Sequence, residues 1–424
     1  MFSKVNHLVS PVVRAGGLVV VLATLYGPLQ AAQYSVQASP RLAAWVDRVL
    51  ELNPELQAVT ASVAAVKARL TGAGLPIYNP ELEVEYERSE IDTLTAGVSQ
   101  TLDWHGKQRA KEVYLSKQAR GARADHQALR EQLAGDLLMA LVEIDASQTV
   151  VELNKRQVAL LGRFAGVAKK RGQAGDLGEI EVELAQLALV EGEMSTASAR
   201  SEASASREAL MRLAGTMQPD ARLPNLPPLS LPKPFVLEDY LAQHPLLVKA
   251  RAQSQVASSA IRRVDIERRA DPTLGVRGGM EDDQALIGLQ LSIPLQVRNT
   301  RTADVDAARS ESDQAVQQLM QVERNIRARM QATHARFGYL SEAWNLWEAK
   351  GRKGLDARVS LLEKLWRVGE LSTTDYLVQL KQSMDTESAG MLLRRDLWRA
   401  WISWLQASGQ VSAWLGLNVQ GEVQ

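Results

Sequence analysis

Residues 79–109 read NPELEVEYERSEIDTLTAGVSQTLDWHGKQR, and they contain two short strand patterns in a chain whose other patterns are mostly helical. In the first, three apolar residues alternate with three acids, and an alternation of period two predicts a strand with two different faces. The alternating residues are Leu82, Glu83, Val84, Glu85, Tyr86 and Glu87. Residues 89–93 predict a polar turn, and residues 94–102 predict a second, less regular strand. Strands with one apolar and one polar face are typical of transmembrane barrels.

The composition narrows the possible functions. Lys plus Arg and Asp plus Glu each number 49, so no net charge favours nucleic acid as a partner. Cysteine is absent, which excludes disulfides, thiolate metal sites, cysteine catalysis and a lipid-modified cysteine. The five histidines are scattered, and no phosphate-binding loop, nucleophile elbow or zinc-protease pattern is present. We therefore expect a protein that is not an enzyme and holds no cofactor and no resident metal ion.

The first residues of the chain resemble a targeting segment. Lys4 and Arg14 supply positive charge, residues 18–25 are apolar, and Ala31 and Ala32 are small enough for cleavage. This pattern predicts a secretory signal peptide over residues 1–32, and a buried N-terminal helix is the alternative. No later stretch offers the roughly 18 uninterrupted apolar residues of a membrane-spanning helix, so any later crossing is expected to use strands.

The strand pair is followed by a long helical pattern. Residues 106–171 contain no proline and carry apolar residues seven apart, a spacing typical of coiled coils. These residues are Leu137, Ile144, Val151, Val158 and Ala165. Three glycines between 172 and 178 interrupt the pattern, and a second helix is predicted over 179–214. The two helices are expected to form one long helical hairpin over 106–214.

The second half of the chain repeats the pattern of the first. Residues 216–235 contain six prolines and predict a linker, and His244 and Gly288 stand 191 residues after Asn53 and Gly97. A second strand pair is predicted over 273–293, a long helix over 302–367 and a return helix ending near 416. The sequence thus predicts an internal duplication, with structural repeats at 33–215 and 236–424.

The number of strands predicts the assembly. Four strands are too few to close a barrel, and open strand edges are not tolerated in lipid. Three chains would supply twelve strands, and the helical hairpins would continue the barrel as a helical tube. Glu83, Glu85 and Glu87 are then expected to line its lumen, although an ordinary solvent-facing strand surface would give the same pattern.

Four motifs carry a resemblance to a known family. NPELEVEYE, GVSQTLDWHGKQRA, LSIPLQVRNTR and VGELSTTDYL, taken in this order, resemble motifs of TolC-type outer-membrane efflux proteins, most closely those of the heavy-metal, CzcC-like branch. The chain departs from that branch in having HGKQR where GGKR is commoner, and in lacking the cysteine that some members carry. The resemblance implies a mainly helical fold with a small β part, in which a trimeric twelve-stranded outer-membrane barrel joins a periplasmic α-barrel.

The same resemblance implies a function and a set of partners. The chain would be the exit duct of a tripartite pump in the outer membrane of a Gram-negative bacterium. It would work as a homotrimer with a periplasmic adaptor and an inner-membrane RND transporter, contact outer-membrane lipid, and conduct divalent heavy-metal cations. Drug efflux and type I protein secretion remain alternatives within this class. An exported coiled-coil structural or adhesion protein would explain the helices but not the two strand pairs.

The hairpin tips supply the predicted functional residues. The residues expected to dock the adaptor are Gly175, Asp176, Leu177, Gly369, Glu370, Leu371 and Ser372. Gly175 and Gly369 are expected to take positive φ, because a tight reversal after a long helix favours glycine. The resemblance implies that Asp375 stands where the family carries an aspartate at the periplasmic entrance, and Glu181 takes the corresponding place after Gly175, so the two are predicted to form a ring of acids there. Favourable charges near helix N-termini are the alternative interpretation of these two acids.

Overall fold

The computed structural model of the chain describes residues 38–88, 92–217, 219, 222–231, 236–282, 284–352 and 354–417. The predicted signal peptide lies outside these residues, as do parts of the predicted linker and of both strand turns. Within the described residues the protein is mainly helical and contains one four-stranded antiparallel sheet, as the sequence predicts.

Each half of the chain begins with two helices, two strands and a long helix, and the second half ends with more helical segments than the first. The first half contains α1 (Pro40–Leu52), α2 (Pro54–Ala73), β1 (Glu81–Arg88), β2 (Asp92–Thr101), α3 (Lys107–Gln173) and α4 (Glu179–Ala214). The second half contains α5 (Leu237–Gln243), α6 (Pro245–Glu267), β3 (Thr273–Glu281), β4 (Gln284–Ser292) and α7 (Thr302–Leu346). A π-helical turn (Trp347–Gly351), α8 (Leu355–Arg367), α9 (Thr373–Ser408) and α10 (Val411–Leu415) complete it.

Asn53-Pro54 separates α1 from α2, and His244-Pro245 separates α5 from α6, for the same physical reason. Asn53 Oδ1 accepts hydrogen bonds from the backbone N–H groups of Glu55 (2.9 Å) and Leu56 (3.2 Å), while Pro54 opens α2. His244 Nδ1 accepts from the backbone N–H of Leu246 at 3.3 Å in front of α6. In each case the side chain satisfies helix N–H groups that have no partner within the helix.

The prediction of one continuous helix over 302–367 is wrong at its centre. The chain forms the π-helical turn Trp347–Gly351 there, and Gly354 has a φ of +103°. The Trp347 indole lies against Gly351 and Gly390, where an added Cβ would come within 2.2 Å of the ring. The indole therefore occupies space that only glycine leaves open, and α7 and α8 are separate helices.

The largest hydrophobic core joins the middle of α3 to α1, α10 and the second half of α9. Trp398, Trp401 and Trp404 recur every three residues on α9 and are nearly completely buried. Their indoles pack against one another and against α10, with Trp401 and Trp404 stacked at a centroid distance of 5.3 Å. This tryptophan series therefore serves packing within the helical core. Within the described ranges, no helix is long and apolar enough to cross a membrane.

The sheet has the strand order β1-β2-β3-β4. Its register places Val84 opposite Ala96 in the first pair, Val98 opposite Val276 in the second, and Val276 opposite Leu289 in the third. The second strand pair spans residues 273–292, within one residue of the predicted 273–293, but β2 begins two residues earlier than predicted. Residues 92 and 93 were predicted as turn and instead extend β2, because they pair with the end of β1.

Candidate channel wall and helical tips

The two faces of the sheet differ in chemistry. One face carries large apolar side chains that are about half exposed or more, with Leu289 and Ile287 both at 84%. The others are Leu82, Val84, Tyr86, Leu94, Val98, Leu274, Val276, Met280 and Leu291. Exposed apolar surface of this extent marks a site of contact with a partner or a membrane. The sheet therefore has one face suited to an apolar environment.

The opposite face is polar. Thr95 and Ser99 of β2 are buried there. Gly97 permits a close approach to β3, since an added Cβ would lie 2.9 Å from the Arg277 Cβ. The missing side chain at Gly97 thus leaves room for β3 on this face.

The three predicted lumen acids lie on the polar face. Glu83, Glu85 and Glu87 alternate with the apolar residues of β1 and are exposed. Glu83 lies opposite Gly97, and its Oε1 accepts a hydrogen bond from Ser99 Oγ at 3.2 Å. The structure thus brings Glu83 and Glu85 together with Arg277 and Thr95 around one pocket.

A buried carboxylate joins the sheet to the helices, and sequence reasoning missed it. Asp271, just before β3, has a side chain that is only 2% exposed. It accepts hydrogen bonds from Tyr78 (2.9 Å) and Lys107 (3.0 Å), and His105 Nδ1 lies 3.2 Å away. Burial alone would raise the pKa of Asp271, but the three hydrogen bonds outweigh it and hold the pKa below its ordinary value.

The lowered pKa of Asp271 predicts a loss of stability in acid. Its folded-state pKa lies below its unfolded value of about 3.9, so its stabilisation is present above that pH and lost as the pH falls through the folded-state pKa. Replacing Asp271 with Asn should lower the stability at pH 7 by about 1.5–3 kcal/mol, because Lys107 loses its charged partner. Thermal unfolding monitored by circular dichroism would measure both effects.

Asp265 offers the matched control for this substitution. It lies on α6, is partly exposed, and pairs with Arg268 and Arg269 at 2.8 Å. Because exposed ion pairs contribute little, Asp265→Asn should leave the unfolding temperature nearly unchanged. Equal effects of the two substitutions would contradict the role assigned to Asp271.

The two helical tips have the same backbone design. Gly175 and Gly369 have φ values of +81° and +84°, as expected of these glycines. The backbone N–H of Asp176 donates to the carbonyl of Arg171 at 2.9 Å, and that of Glu370 donates to the carbonyl of Leu365 at 3.0 Å. These bonds close each long helix with a left-handed residue and reverse the chain.

The two predicted entrance acids occupy equivalent positions, each the third residue of its helix. Glu181 Oε2 accepts a hydrogen bond from the backbone N–H of Gly178 at 3.0 Å. Asp375 Oδ2 accepts from Ser372 Oγ at 2.7 Å, and Ser372 Oγ accepts from the backbone N–H of Asp375 at 3.0 Å. Both acids therefore stabilise helix N-termini, which is the alternative role considered for them.

An aromatic cluster joins the two tips, and its role is visible only in the structure. The Trp366 ring of α8 stacks on Tyr376 of α9 at 5.1 Å, and Phe164 of α3 lies 4.7 Å from Trp366. Arg171 lies over the Trp366 ring and donates to its backbone carbonyl at 3.2 Å. Burial, with a smaller contribution from Glu363, raises the pKa of Tyr376 to about 12. The cluster fixes the two tips as one unit.

The remaining predicted tip residues lie at the surface. Asp176, Glu370 and Ser372 are exposed, while Leu177 and Leu371 are half-buried. Leu371 packs against the aromatic cluster. Trp104, just after β2, is 72% exposed. Among the described residues, no group of three or more His, Asp or Glu is placed to hold a metal ion.

A four-stranded sheet of this kind, continued by long helical hairpins, defines the fold class of outer-membrane channels. CusC superposes with a TM-score of 0.75 at 15% identity, covering 90% of this chain and 96% of that one. VceC from Vibrio cholerae gives a TM-score of 0.71 at 16% identity, covering 88% and 99%. The mainly helical chain fold with one four-stranded sheet, expected from the family resemblance, is confirmed.

Sequence comparison gives a more particular relative. The cobalt-zinc-cadmium resistance protein CzcC of Cupriavidus metallidurans is 27% identical over 237 residues, which are 53% of this chain and 56% of CzcC. The match thus spans about half the length of the curated relative. No family model matches the sequence. The resemblance to the CzcC-like branch is therefore supported by a direct alignment.

Proposed function

We propose that the chain is the outer-membrane exit duct of a tripartite efflux pump. Three copies share one twelve-stranded barrel, with the apolar face of the sheet toward lipid and the polar face toward the lumen. The observation that carries this proposal is a sheet with one exposed apolar face and an opposite polar face that carries the acids of β1. The long hairpins α3–α4 and α7–α9 extend the duct into the periplasm, toward an adaptor and an inner-membrane RND transporter.

The proposed cargo is divalent heavy-metal cations. Similarity to a cobalt-zinc-cadmium resistance protein supports this choice, as does the excess of acids on the polar face of β1. The test uses a Gram-negative host that lacks its metal-efflux channel and retains the matching pump and adaptor. Expression of this chain should restore growth in zinc, cadmium or cobalt salts and lower cellular metal.

A second host serves as the control for the identity of the cargo. It retains a drug pump and its adaptor but lacks the outer-membrane channel. Restored drug tolerance without restored metal tolerance would overturn the metal assignment and keep the duct. Failure in both hosts, with the chain present in the outer membrane, would overturn the duct itself.

The tips are proposed to dock the adaptor. Each chain presents two similar reversals, so a trimer presents six to a ring of adaptor hairpins. Gly369→Val should abolish metal tolerance while leaving the trimer folded, because valine is strained at a φ of +84° although its Cβ meets no neighbour. Gly338→Ala, in the middle of α7, is the control, since its added Cβ also meets nothing. Unchanged adaptor cross-linking in the Gly369 variant would remove the docking proposal.

Glu181 and Asp375 are proposed to form the entrance ring. Threefold symmetry turns each acid into three carboxylates at one level, which attract cations and repel anions. The double variant Glu181→Gln, Asp375→Asn should lower cation selectivity and weaken block by added divalent ions in planar bilayers. Because both acids also cap helices, each change should cost about 0.3–1 kcal/mol at the tip.

A second double variant separates the ring from general tip charge. Asp176→Asn with Glu370→Gln removes the same number of charges from the two turns themselves. When no adaptor is present, this variant should show the same conductance, and the same block by divalent ions, as the unaltered channel. If both double variants behave alike, Glu181 and Asp375 are not the entrance ring.

A further inference from the structure

The sheet ends in two open edges of opposite charge character. Among the described residues, nothing pairs with the outer edge of β1 or of β4. On the polar face, the β1 edge carries Glu83 and its neighbouring acids, while Arg277 lies one strand inside the β4 edge. Charge complementarity of this kind fits a second copy of the same chain.

The internal register predicts which residues meet at this seam. Gly97 of β2 lies opposite Arg277 of β3. Gly288 of β4 lies opposite Arg277 on its other side and stands 191 residues after Gly97. Gly97 and Gly288 therefore occupy equivalent positions in β2 and β4. In the first strand pair, Glu83 of β1 lies opposite Gly97 of β2. In the second pair, Arg277 of β3 lies opposite Gly288 of β4, so Glu83 and Arg277 occupy equivalent positions. If β4 pairs with the next β1 as β2 pairs with β3, Gly288 lies opposite Glu83 of the neighbouring copy.

The Arg277 side chain points toward that seam. Its Nε, Cγ and Cδ atoms lie 3.0, 3.1 and 3.6 Å from the position of a Cβ added to Gly288. At Gly97 the Arg277 atoms nearest the corresponding position are Cβ and Cα, whereas at Gly288 they belong to the outer side chain, so the side chain extends toward β4. Within the described chain Arg277 forms no ion pair. Gly288 leaves the path to the edge of the sheet open.

The distances allow contact across the seam. Neighbouring strands lie about 4.8 Å apart, so Arg277 and the next copy's Glu83, two strands apart, are separated by about 10 Å at the backbone. A long arginine and a glutamate together span this gap over a glycine. Glu83 gives one oxygen to Ser99 within its chain, and a carboxylate has further acceptor sites.

We infer that Arg277 forms an ion pair with Glu83 of the neighbouring copy and thereby fixes the register in which the chains close. This inference rests on the shared barrel of the proposed function. The ion pair recurs at each seam and lies on the polar face. It passes over Gly288, where any side chain would block the path between the two charges. A slip of one residue in this register would bring the apolar face of one chain next to the polar face of the next.

A charge swap tests the ion pair. Arg277→Glu and Glu83→Arg should each lose the detergent-resistant trimer at temperatures at which the unaltered chain keeps it, because like charges then face each other. The double variant Arg277→Glu, Glu83→Arg should regain it. The matched control joins Arg277→Glu to Glu87→Arg, which lies two rows further along β1 and should not restore the trimer. Equal restoration by both pairs, or by neither, overturns the inference.

Disulfide trapping separates this inference from the shared barrel itself. The chain has no cysteine, so an introduced pair is unique. Val98 and Val276 face each other within the chain, and the equivalent seam pair is Leu289 with Leu82 of the next copy. Leu289→Cys with Leu82→Cys should cross-link chains into dimers and trimers, whereas Leu289→Cys with Tyr86→Cys should not. Cross-linking of the first pair without rescue by the charge swap overturns only the ion pair, and no cross-linking of either pair overturns the shared barrel.

Discussion

Replacing Leu289 with Arg is expected to remove the assembled protein from the outer membrane. Leu289 lies in the middle of β4 on the apolar face, and 84% of its side chain is exposed in the single chain. A charge turned toward lipid near the bilayer midplane costs about 2–4 kcal/mol, and a trimer would bear this cost three times. Val84→Arg on β1 should act in the same way, since Val84 is also exposed on that face.

The adjacent residue supplies a control for the Leu289 substitution. Gln290 is exposed on the opposite, polar face of the same strand, where it faces Gly275. Gln290→Arg adds the same charge one residue away but directs it to the lumen, so the trimer should survive. Membrane fractionation and unheated gels of the two variants would show the difference. Loss of the trimer in both variants would mean that the apolar face is not the lipid face.

The parts of the fold that were predictable from sequence are those governed by local periodicity. Alternating residues of β1 point to opposite faces whatever lies around them, so Val84 and Glu85 reveal the two faces directly. The seven-residue spacing in α3 likewise follows its packed side, with Leu137 and Ala165 buried. Positive φ at Gly175 and Gly369 was expected from the need to reverse the chain after a long helix.

The parts that could not be predicted depend on contacts between distant residues. Asp271 binds Tyr78 from 193 positions away, and buried Glu131 accepts a hydrogen bond from Ser412 Oγ, 281 positions away. No pattern in the sequence around either residue predicts such pairs. The only sequence signal for the first was that Asp271 precedes Pro272 where the other half has Asn79 before Pro80.

The break between α7 and α8 illustrates the same limit. The sequence around Trp347 and Gly351 has helical spacing, and the glycines there do not by themselves end a helix. The break depends on Gly390 of α9, which leaves room for the Trp347 ring from across the hairpin. Packing between helices thus overrode a local preference for one continuous helix.

Replacing Trp366 with Ala is expected to release the two tips from each other. The Trp366 ring is buried, contacts Phe164 and Tyr376, and its Nε1–H donates to Thr373 Oγ1 at 3.2 Å. Removing a buried tryptophan costs about 3–5 kcal/mol through lost packing and the cavity it leaves. The sheet and the main hydrophobic core are formed by other residues, so the loss should stay near the tips.

Hydrogen exchange would locate this effect, and adaptor cross-linking would report its consequence. In the Trp366→Ala variant, exchange should rise at the ends of α3, α8 and α9 and remain unchanged in β1–β4, while the trimer persists and adaptor cross-links disappear. Trp366→Phe is the matched control, because it keeps a ring against Tyr376 and loses only the bond to Thr373. It should retain most of the protection and the cross-links. We expect the adaptor to bind the tip turns only when the helices that carry them are fixed by the aromatic cluster. Intact adaptor cross-linking together with strongly increased exchange at the tips would show that docking does not require ordered tips.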